Sequence, residues 1–390
     1  MRETHLYDIY DYGCIIADTG RTGAYARALR QSVKPGSIVL DIGTGVGIWA
    51  LLACQAGARK VYAVDPNDAA LELAREIAVA NGYADRIEFI QDIATEIAPP
   101  ELADVVVSEL RGVLPLSGES LPTLIDARKR LLVPGGVMIP QCDTLWAAVV
   151  ESPDLHSRHT IPWRENPYRL DMRAGLPVVT SMFVRSRGRV MPEHLLVEPK
   201  SWATIDYGTL ESASVNGDAT WRAARTGTGH GFVVWFDTVL VSGVSFSNAP
   251  GAPPTIYGSV FFPWPEPVSI SAGDVISVRI QANPAGEDYV WRWETRVFDP
   301  TYRDRTKASF SQCSLEAMVL SRTQLRKRAS DHVPVLNEEG RIDRAVLDLM
   351  DGKLCLGEIA GRLLDQFSGR FATWQDALTW VGDRSTRYSR

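Results

Sequence analysis

The stretch Val39-Leu-Asp-Ile-Gly-Thr-Gly-Val-Gly47 constrains this chain more than any other. It reads as a buried strand, 37–41, that breaks into a glycine turn. A helix from about Ile48 to Ala56 follows and stops at Gly57, and a second strand, Val61-Tyr-Ala-Val-Asp65, ends on an acid. Gly43 and Gly45 let the backbone turn tightly and come close to a ligand. The following helix presents free N–H groups and the positive end of its dipole. Asp65, closing the next strand, is placed to accept from ribose hydroxyls. Strand, turn, helix, strand and terminal acid in this order predict a nucleotide-type cofactor site.

The spacing narrows the cofactor. A dinucleotide site wants G-x-G-x-x-G, whereas this turn is D-x-G-x-G-x-G with Asp41 before the first glycine. Alternation of strand and helix continues to residue 142. Strands are expected near 37–41, 61–65, 87–90, 103–108 and 137–140, and helices near 48–56, 68–80 and 120–132, the last two punctuated by Gly82 and by Pro134-Gly-Gly136. That alternation predicts a parallel sheet covered by helices on both faces, an α/β Rossmann-like domain with its ligand beyond the carboxyl ends of the strands. Asp41, Asp65, Asp92 and Glu109 all fall at or just past such ends. So many carboxylates in one place call for a cationic ligand. The fourth strand leads into a loop with an acid at each end, Glu109 and Glu119, and two carboxylates hold a guanidinium well because its donor fork is matched bidentately. The alternative is a surface loop whose Glu119 caps the next helix.

Upstream, residues 1–33 mix tyrosines with helical signals and read as a lid packed on the cofactor domain. Arg21 there offers a planar fork for a carboxylate. Residues 143–318 change to alternating Val, Thr, Trp and Phe with Gly, Pro and Asn turns, which predicts an antiparallel β-barrel or sandwich; about 155–190 is less regular and reads as an inserted arm. Residues 319–390 return to helical periodicity, with a capping box from Thr373 to Asp376, and suggest a small winged-helix or bundle module.

A net charge of −6 gives no overall electrostatic footprint for nucleic acid, and the basic run Arg322 to Arg328 reads as a solvated linker. Five scattered cysteines with no C-x-x-C and no H-E-x-x-H argue against a metal site. No apolar run reaches membrane length, so a cytoplasmic, reducing setting is expected.

With these residues assembled, the chain resembles a bacterial-type protein arginine methyltransferase of the class I S-adenosylmethionine (SAM) superfamily, over roughly residues 7–300. Tyr7 and Tyr10 resemble the family's Y-F-x-x-Y helix. Asp18-x-x-Arg21-Thr22 resembles its D-x-x-R-T, where the Arg takes SAM's carboxylate. Val39 to Gly47 resembles motif I and Asp65 the acid after it, and Ser108-Glu109-x-x-Gly112 followed by Glu119-Ser120 resembles the double-E loop. Trp163-x-x-Asn166-x-Tyr168-x-Leu170-Asp171-Met172 resembles the lead into the dimerisation arm. Three features depart from the pattern. The loop reads S-E-L-R-G rather than S-E-W-M-G, its second Glu comes ten positions after the first rather than nine, and Thr255-Ile256-Tyr257 stands where the family has Thr-His-Trp.

The resemblance implies SAM as cofactor, a Rossmann-like domain followed by a β-barrel, a homodimer joined through the 155–190 arm, and methyl transfer to an arginine of a protein or peptide. It implies catalytic roles for Glu109, Glu119 and Tyr10, and cofactor roles for Arg21, Asp41, Gly43, Gly45, Asp65, Asp92 and Glu109. Two other outcomes stay open at this level: a different nucleophile on a peptide or natural product, or a weakly active peptide-binding homologue. The tail resembles the small winged-helix modules of the PqqD type.

Overall fold

The structure is a computed structural model and describes residues 9–186, 188–286, 288–300 and 306–389; Tyr7 lies outside the described residues. The chain forms two compact units, 1–319 and 320–390.

The first unit opens with helices α1 (Ile9–Ala17) and α2 (Thr19–Ser32), then runs β1 (Ile38–Ile42), α3 (Ile48–Gln55), β2 (Lys60–Val64), α4 (Asp68–Ala80), β3 (Ile87–Ile90), β4 (Ala103–Ser108), α5 (Ser120–Arg130) and β5 (Leu132–Ile139). The five strands are parallel in the order β3-β2-β1-β4-β5. The chain lays down β1, β2 and β3 in one direction and then returns to place β4 on the other side of β1. Ligands in such sheets bind at that reversal, outside the carboxyl ends of the strands. Ile42 pairs with both Val64 and Ser108, so the residues that follow these three strands stand level. Every β1 residue is buried, as an interior strand covered on both faces must be. The sequence reading placed the fifth strand at 137–140; it starts at Leu132 and runs through Pro134-Gly-Gly136, where it forms the sheet edge and needs fewer ladder bonds.

Next come β6 (Cys142–Val150), α6 (Pro153–Arg164), a 3-10 turn Arg173–Gly175 and α7 (Leu176–Thr180). Antiparallel strands fill the rest. Val184–Arg185, Val260–Ile270, Gly227–Val241, β6 and Lys200–Asp206 form one sheet, with Val244–Ser247 added on Gly227–Val241. Thr306–Cys313, Asp288–Phe298, Val275–Ala285 and Val215–Arg222 form the other. Along Asp288–Phe298 exposed and buried residues alternate, and the inward set includes Trp291 and Trp293. With Phe232, Phe262 and Trp264 these fill one core that runs on into Leu40, Ile42 and Val106 of the parallel sheet. The cofactor-type domain and the β-rich domain therefore share apolar packing.

The second unit holds helices Arg322–Lys327, Glu338–Leu349, Leu356–Gln366 and Trp374–Tyr388 around Ile342, Val346, Ile359, Leu363, Ala377 and Val381. The Thr373 capping box forms: its hydroxyl accepts from Asp376 N–H while its own N–H donates to the Asp376 carboxylate. Among its described residues there is no strand, so this is a helical bundle without a wing. Pro334 sits in the segment between the first two helices, where a wing strand would need ladder donors.

Candidate active site

Above the reversal point lies a cleft lined by Tyr12, Ile15 and Ile16 of α1, Arg21 of α2, the turn 43–46, Ile48 and Trp49 of α3, Asp65, and the loop 109–111. Each polar member comes from the end of an element the sequence specifies strongly. Gly43, Gly45 and Gly47 all have positive φ (73°, 51° and 83°), the backbone region that favours glycine. A Cβ on Gly45 would run into the Tyr12 ring and one on Gly43 into Leu110. The turn is thus glycine because the lid helix and the loop after β4 press onto it.

Two acids near the turn have different tasks. Asp65 lines the cleft; its Oδ2 accepts from Gly45 N–H and its Oδ1 from Asn67 N–H, both at 2.8 Å. Each oxygen keeps a second lone pair for a ligand hydroxyl. Asp41 is fully buried and does not line the cleft. Its Oδ2 takes the Thr44 hydroxyl at 2.6 Å and Ala50 N–H at 3.0 Å, tying turn to helix, and burial lifts its carboxyl to about 7. Asp92, assigned to the cofactor from sequence, is exposed, caps its own neighbour's N–H and is absent from the cleft lining. It follows β3, the edge strand, two strands away from β1.

Glu109 and Arg21 meet at the centre. Arg21 Nη1 donates to Glu109 Oε2 at 2.6 Å, and Nη2 donates to the Ile15 carbonyl at 2.9 Å. Arg21 has no exposed side-chain surface, and its ring-side face lies over Trp49. Its Nε is buried with no partner. A buried donor left open inside a ligand cleft costs about 1–3 kcal/mol unless a ligand satisfies it. A carboxylate such as that of SAM fits this fork, so the residues present suit the cofactor. The other Glu109 oxygen, Oε1, accepts from the Tyr257 hydroxyl at 2.7 Å. Burial pushes the Glu109 carboxyl above its ordinary range, against the pull of Arg21 and of the Tyr257 hydroxyl. Burial likewise raises Tyr257, helped by the negative charge of Glu109, which keeps the phenol protonated as a donor.

Arg111 is buried but turned away from an acceptor. Its Nε and Nη2 clasp Asp143 of β6 at 3.0 and 2.7 Å, Nη2 also reaches the Thr238 hydroxyl, and Nη1 reaches Tyr25 Oη at 2.8 Å. Tyr25 in turn donates to the Ser108 carbonyl, and Tyr207 and Thr238 donate to Asp143. The Arg111 charge is therefore spent on a buried pair joining the loop to the β-rich domain.

Two sequence assignments are corrected here. Glu119 does not face Glu109: it is exposed, outside the cleft, and occupies the residue before α5 without a side-chain capping bond. Leu114 and Leu116 are buried on the way, so the longer loop is pinned to the core and delivers Glu119 to solvent. Tyr10 is 77% exposed; one helical face round, Tyr12 takes the place over the turn. Sequence reasoning missed two residues outright. Tyr12 differs from Tyr10 only in helical phase. Tyr257 was marked as a departure, yet it is the Glu109 donor. Asp18, which caps α2 through Arg21 N–H, also accepts from Ile256 N–H and so ties the Tyr257 loop to the lid.

This sheet, glycine turn, strand-end acid and buried arginine define a class I SAM-dependent methyltransferase. Comparison with known proteins agrees. Residues 39–136 match a methyltransferase domain and residues 141–296 an arginine methyltransferase oligomerization subdomain. Probable protein arginine N-methyltransferase 6 of Arabidopsis thaliana is 32% identical over 278 residues, covering 70% of this chain; the chain spans 62% of that relative's length. Protein arginine N-methyltransferase 1 of Dictyostelium discoideum is 30% identical over 292 residues, 72% of this chain and 84% of the relative. An arginine N(omega)-methyltransferase of Streptomyces achromogenes is 28% identical, covering 68% and 74%. A solved Trypanosoma brucei arginine methyltransferase enzyme–prozyme complex with AdoHcy superposes with a TM-score of 0.70 at 23% identity, over 78% of this chain and 97% of that one. The chain belongs to the protein arginine methyltransferase family.

Proposed function

We propose that this protein transfers the SAM methyl group to a guanidinium nitrogen of an arginine, in a protein or peptide or as a smaller arginine compound. One observation carries this: the carboxylate of Glu109, with only 10% of its side chain exposed, lines the cofactor cleft at the reversal point of the sheet and is held by Arg21 and Tyr257. The cofactor supplies an activated methyl on a sulfonium. The chain supplies position, orientation and exclusion of water. Arg21 and Tyr257 each use one lone pair of a Glu109 oxygen, which leaves a further acceptor direction on each for the substrate cation. The negative charge draws the guanidinium's positive charge toward Glu109 and away from the nitrogen that takes the methyl. Tyr257 holds one carboxylate oxygen and Arg21 the other. Incubation with labelled SAM and arginine-containing acceptors tests the reading; label found only on a non-arginine group overturns it.

Two substitutions test this assignment. Asp65→Ala should weaken SAM binding by about 10- to 100-fold, the range for a hydrogen bond to a charged acceptor; calorimetry showing unchanged affinity removes Asp65 from the site. Glu119→Gln should leave turnover within about twofold and stability within about 0.5 kcal/mol, as for exposed positions elsewhere. A loss of orders of magnitude would mean that the loop refolds to bring Glu119 inward.

The protein should also form a homodimer through the 155–190 arm. Ile161, Tyr168, Leu170, Met172 and Met182 expose apolar surface there, within the part of the chain that matches the oligomerization subdomain. A self-complementary two-fold pairing is the default. Light scattering that gives 43.0 kDa at micromolar concentration would refute it. A cytoplasmic setting is consistent with five unpaired cysteines.

A further inference from the structure

A second depression is linked to the cleft through one hydrogen bond, from Tyr257, which lines the depression, to Glu109, which lines the cleft. The loop 248–259 forms one wall, and Arg185, Ser186, Gly188, Val190 and Met191 line the other side. Tyr257 is one of its lining residues, so one wall of the groove stands a single hydrogen bond from the carboxylate that would hold the methyl acceptor. The groove is preformed. Its loop carries Pro250, Pro253 and Pro254, Gly251 packs against Pro192, and the Asn248 side chain bonds both Phe236 N–H and the Gly258 carbonyl.

The charge along this groove is one-sided. Among its described lining residues there is no Asp or Glu, while Arg185 lines it and Arg189 flanks it. Both arginines are exposed, and neither has an ion-pair partner among the described residues. The Thr255 hydroxyl also lines the groove, and its oxygen is buried without a partner. A molecule reaching from Glu109 past Tyr257 into the groove would meet a negative charge at one end, then the Thr255 hydroxyl and a positive rim.

Resting on the arginine reading above, we propose that the preferred acceptor carries a carboxylate a few bonds from its guanidinium, recognised by Arg185 with Thr255. A strongly basic arginine-rich segment does not suit a groove with cations at its rim, because like charges at a recognition surface select against a partner. The carboxylate has two possible sources: the α-carboxylate of arginine itself, or an acidic residue next to the target arginine in a peptide.

The test uses the full chain, labelled SAM and two matched pairs of acceptors. One pair is L-arginine and agmatine, which lacks the carboxylate. The other is a peptide whose target arginine is flanked by Glu and the same peptide flanked by Lys. The carboxylate-bearing member of at least one pair should show the higher kcat/KM by about fivefold, the effect of one exposed ion pair. The pair that discriminates identifies the source. The advantage should shrink at about 0.5 M salt, where exposed charges are screened. Arg185→Gln should bring the ratio towards one; as Arg185 is exposed the fold should tolerate this, and the salt series on the unaltered protein gives the same information without a variant. Agmatine and the Lys-flanked peptide serving as well as or better than their counterparts would overturn the proposal while leaving the arginine reading standing. Label on no arginine compound would overturn both.

Discussion

Glu109→Gln is expected to lower turnover on arginine acceptors by about 100- to 1,000-fold, the scale for removing one charged group that stabilises a reaction centre. The substitution keeps the shape of the side chain and removes its charge. SAM affinity should hold or rise, because Arg21 loses its 2.6 Å partner and its fork becomes fully available to a cofactor carboxylate. Stability should fall, since Arg21 is left as a buried cation without a counter-charge. SAM should then restore part of the loss by binding the folded state. The pH dependence gives an independent check. Burial raises the folded-state Glu109 carboxyl, so it gains its proton as pH falls while ordinary carboxylates are still ionised. Turnover should therefore decline on an acid limb above the usual carboxylate range, and that limb should vanish in Glu109→Gln. Turnover of the variant within threefold of the unaltered enzyme would remove Glu109 from the chemistry.

The second large effect belongs to Arg111 and Asp143. Either single change, Arg111→Met or Asp143→Leu, leaves one unpaired charge in a place with almost no exposed side-chain surface. Such losses cost about 3–5 kcal/mol. The double variant, with both charges gone, should recover much of that, since an apolar pair of similar volume often matches a buried ion pair. Phe236 and Phe246 already lie against the Arg111 guanidinium and would pack on a methionine. Urea unfolding followed by the buried tryptophans of the first unit measures all three, and the cycle isolates the pair's coupling. The Arg111 backbone N–H also helps hold the Glu109 carboxylate, so the single variants should lower kcat more than they raise KM for SAM. Additive effects across the cycle would show that the two side chains do not act as one unit.

Local order was largely readable from the chain. The glycine turn, the strand-ending Asp65 and the alternation of strand with helix depend on spacing within about thirty residues, and the elements formed within one or two positions of their expected bounds except at the fifth strand. Arg21 and Glu109 were identifiable because each sits at the end of such an element. That they bond each other was not, since they are 88 positions apart. Helical phase misplaced one tyrosine: Tyr10 and Tyr12 share a helix, and only the packing of α1 on the turn chose between them.

The loop after β4 shows why the rest stayed hidden. Its two glutamates are conspicuous in sequence, yet loop conformation is set by what its apolar residues find to bury. Leu114 and Leu116 found the core and carried Glu119 outward. The Arg111 guanidinium finds its counter-charge outside its own loop, in Asp143, 32 positions away in the other domain, which neutralises it. Tyr257 looked like a loss because it replaced an expected pattern, and it became the Glu109 donor through a contact spanning 148 positions. By itself the sequence determined the parallel sheet, the cofactor turn and the identity of the central carboxylate, because backbone propensity and periodicity act over short range. Only the tertiary structure decided the partners of that carboxylate, since buried polar groups pair with whatever chain folding brings within hydrogen-bond reach.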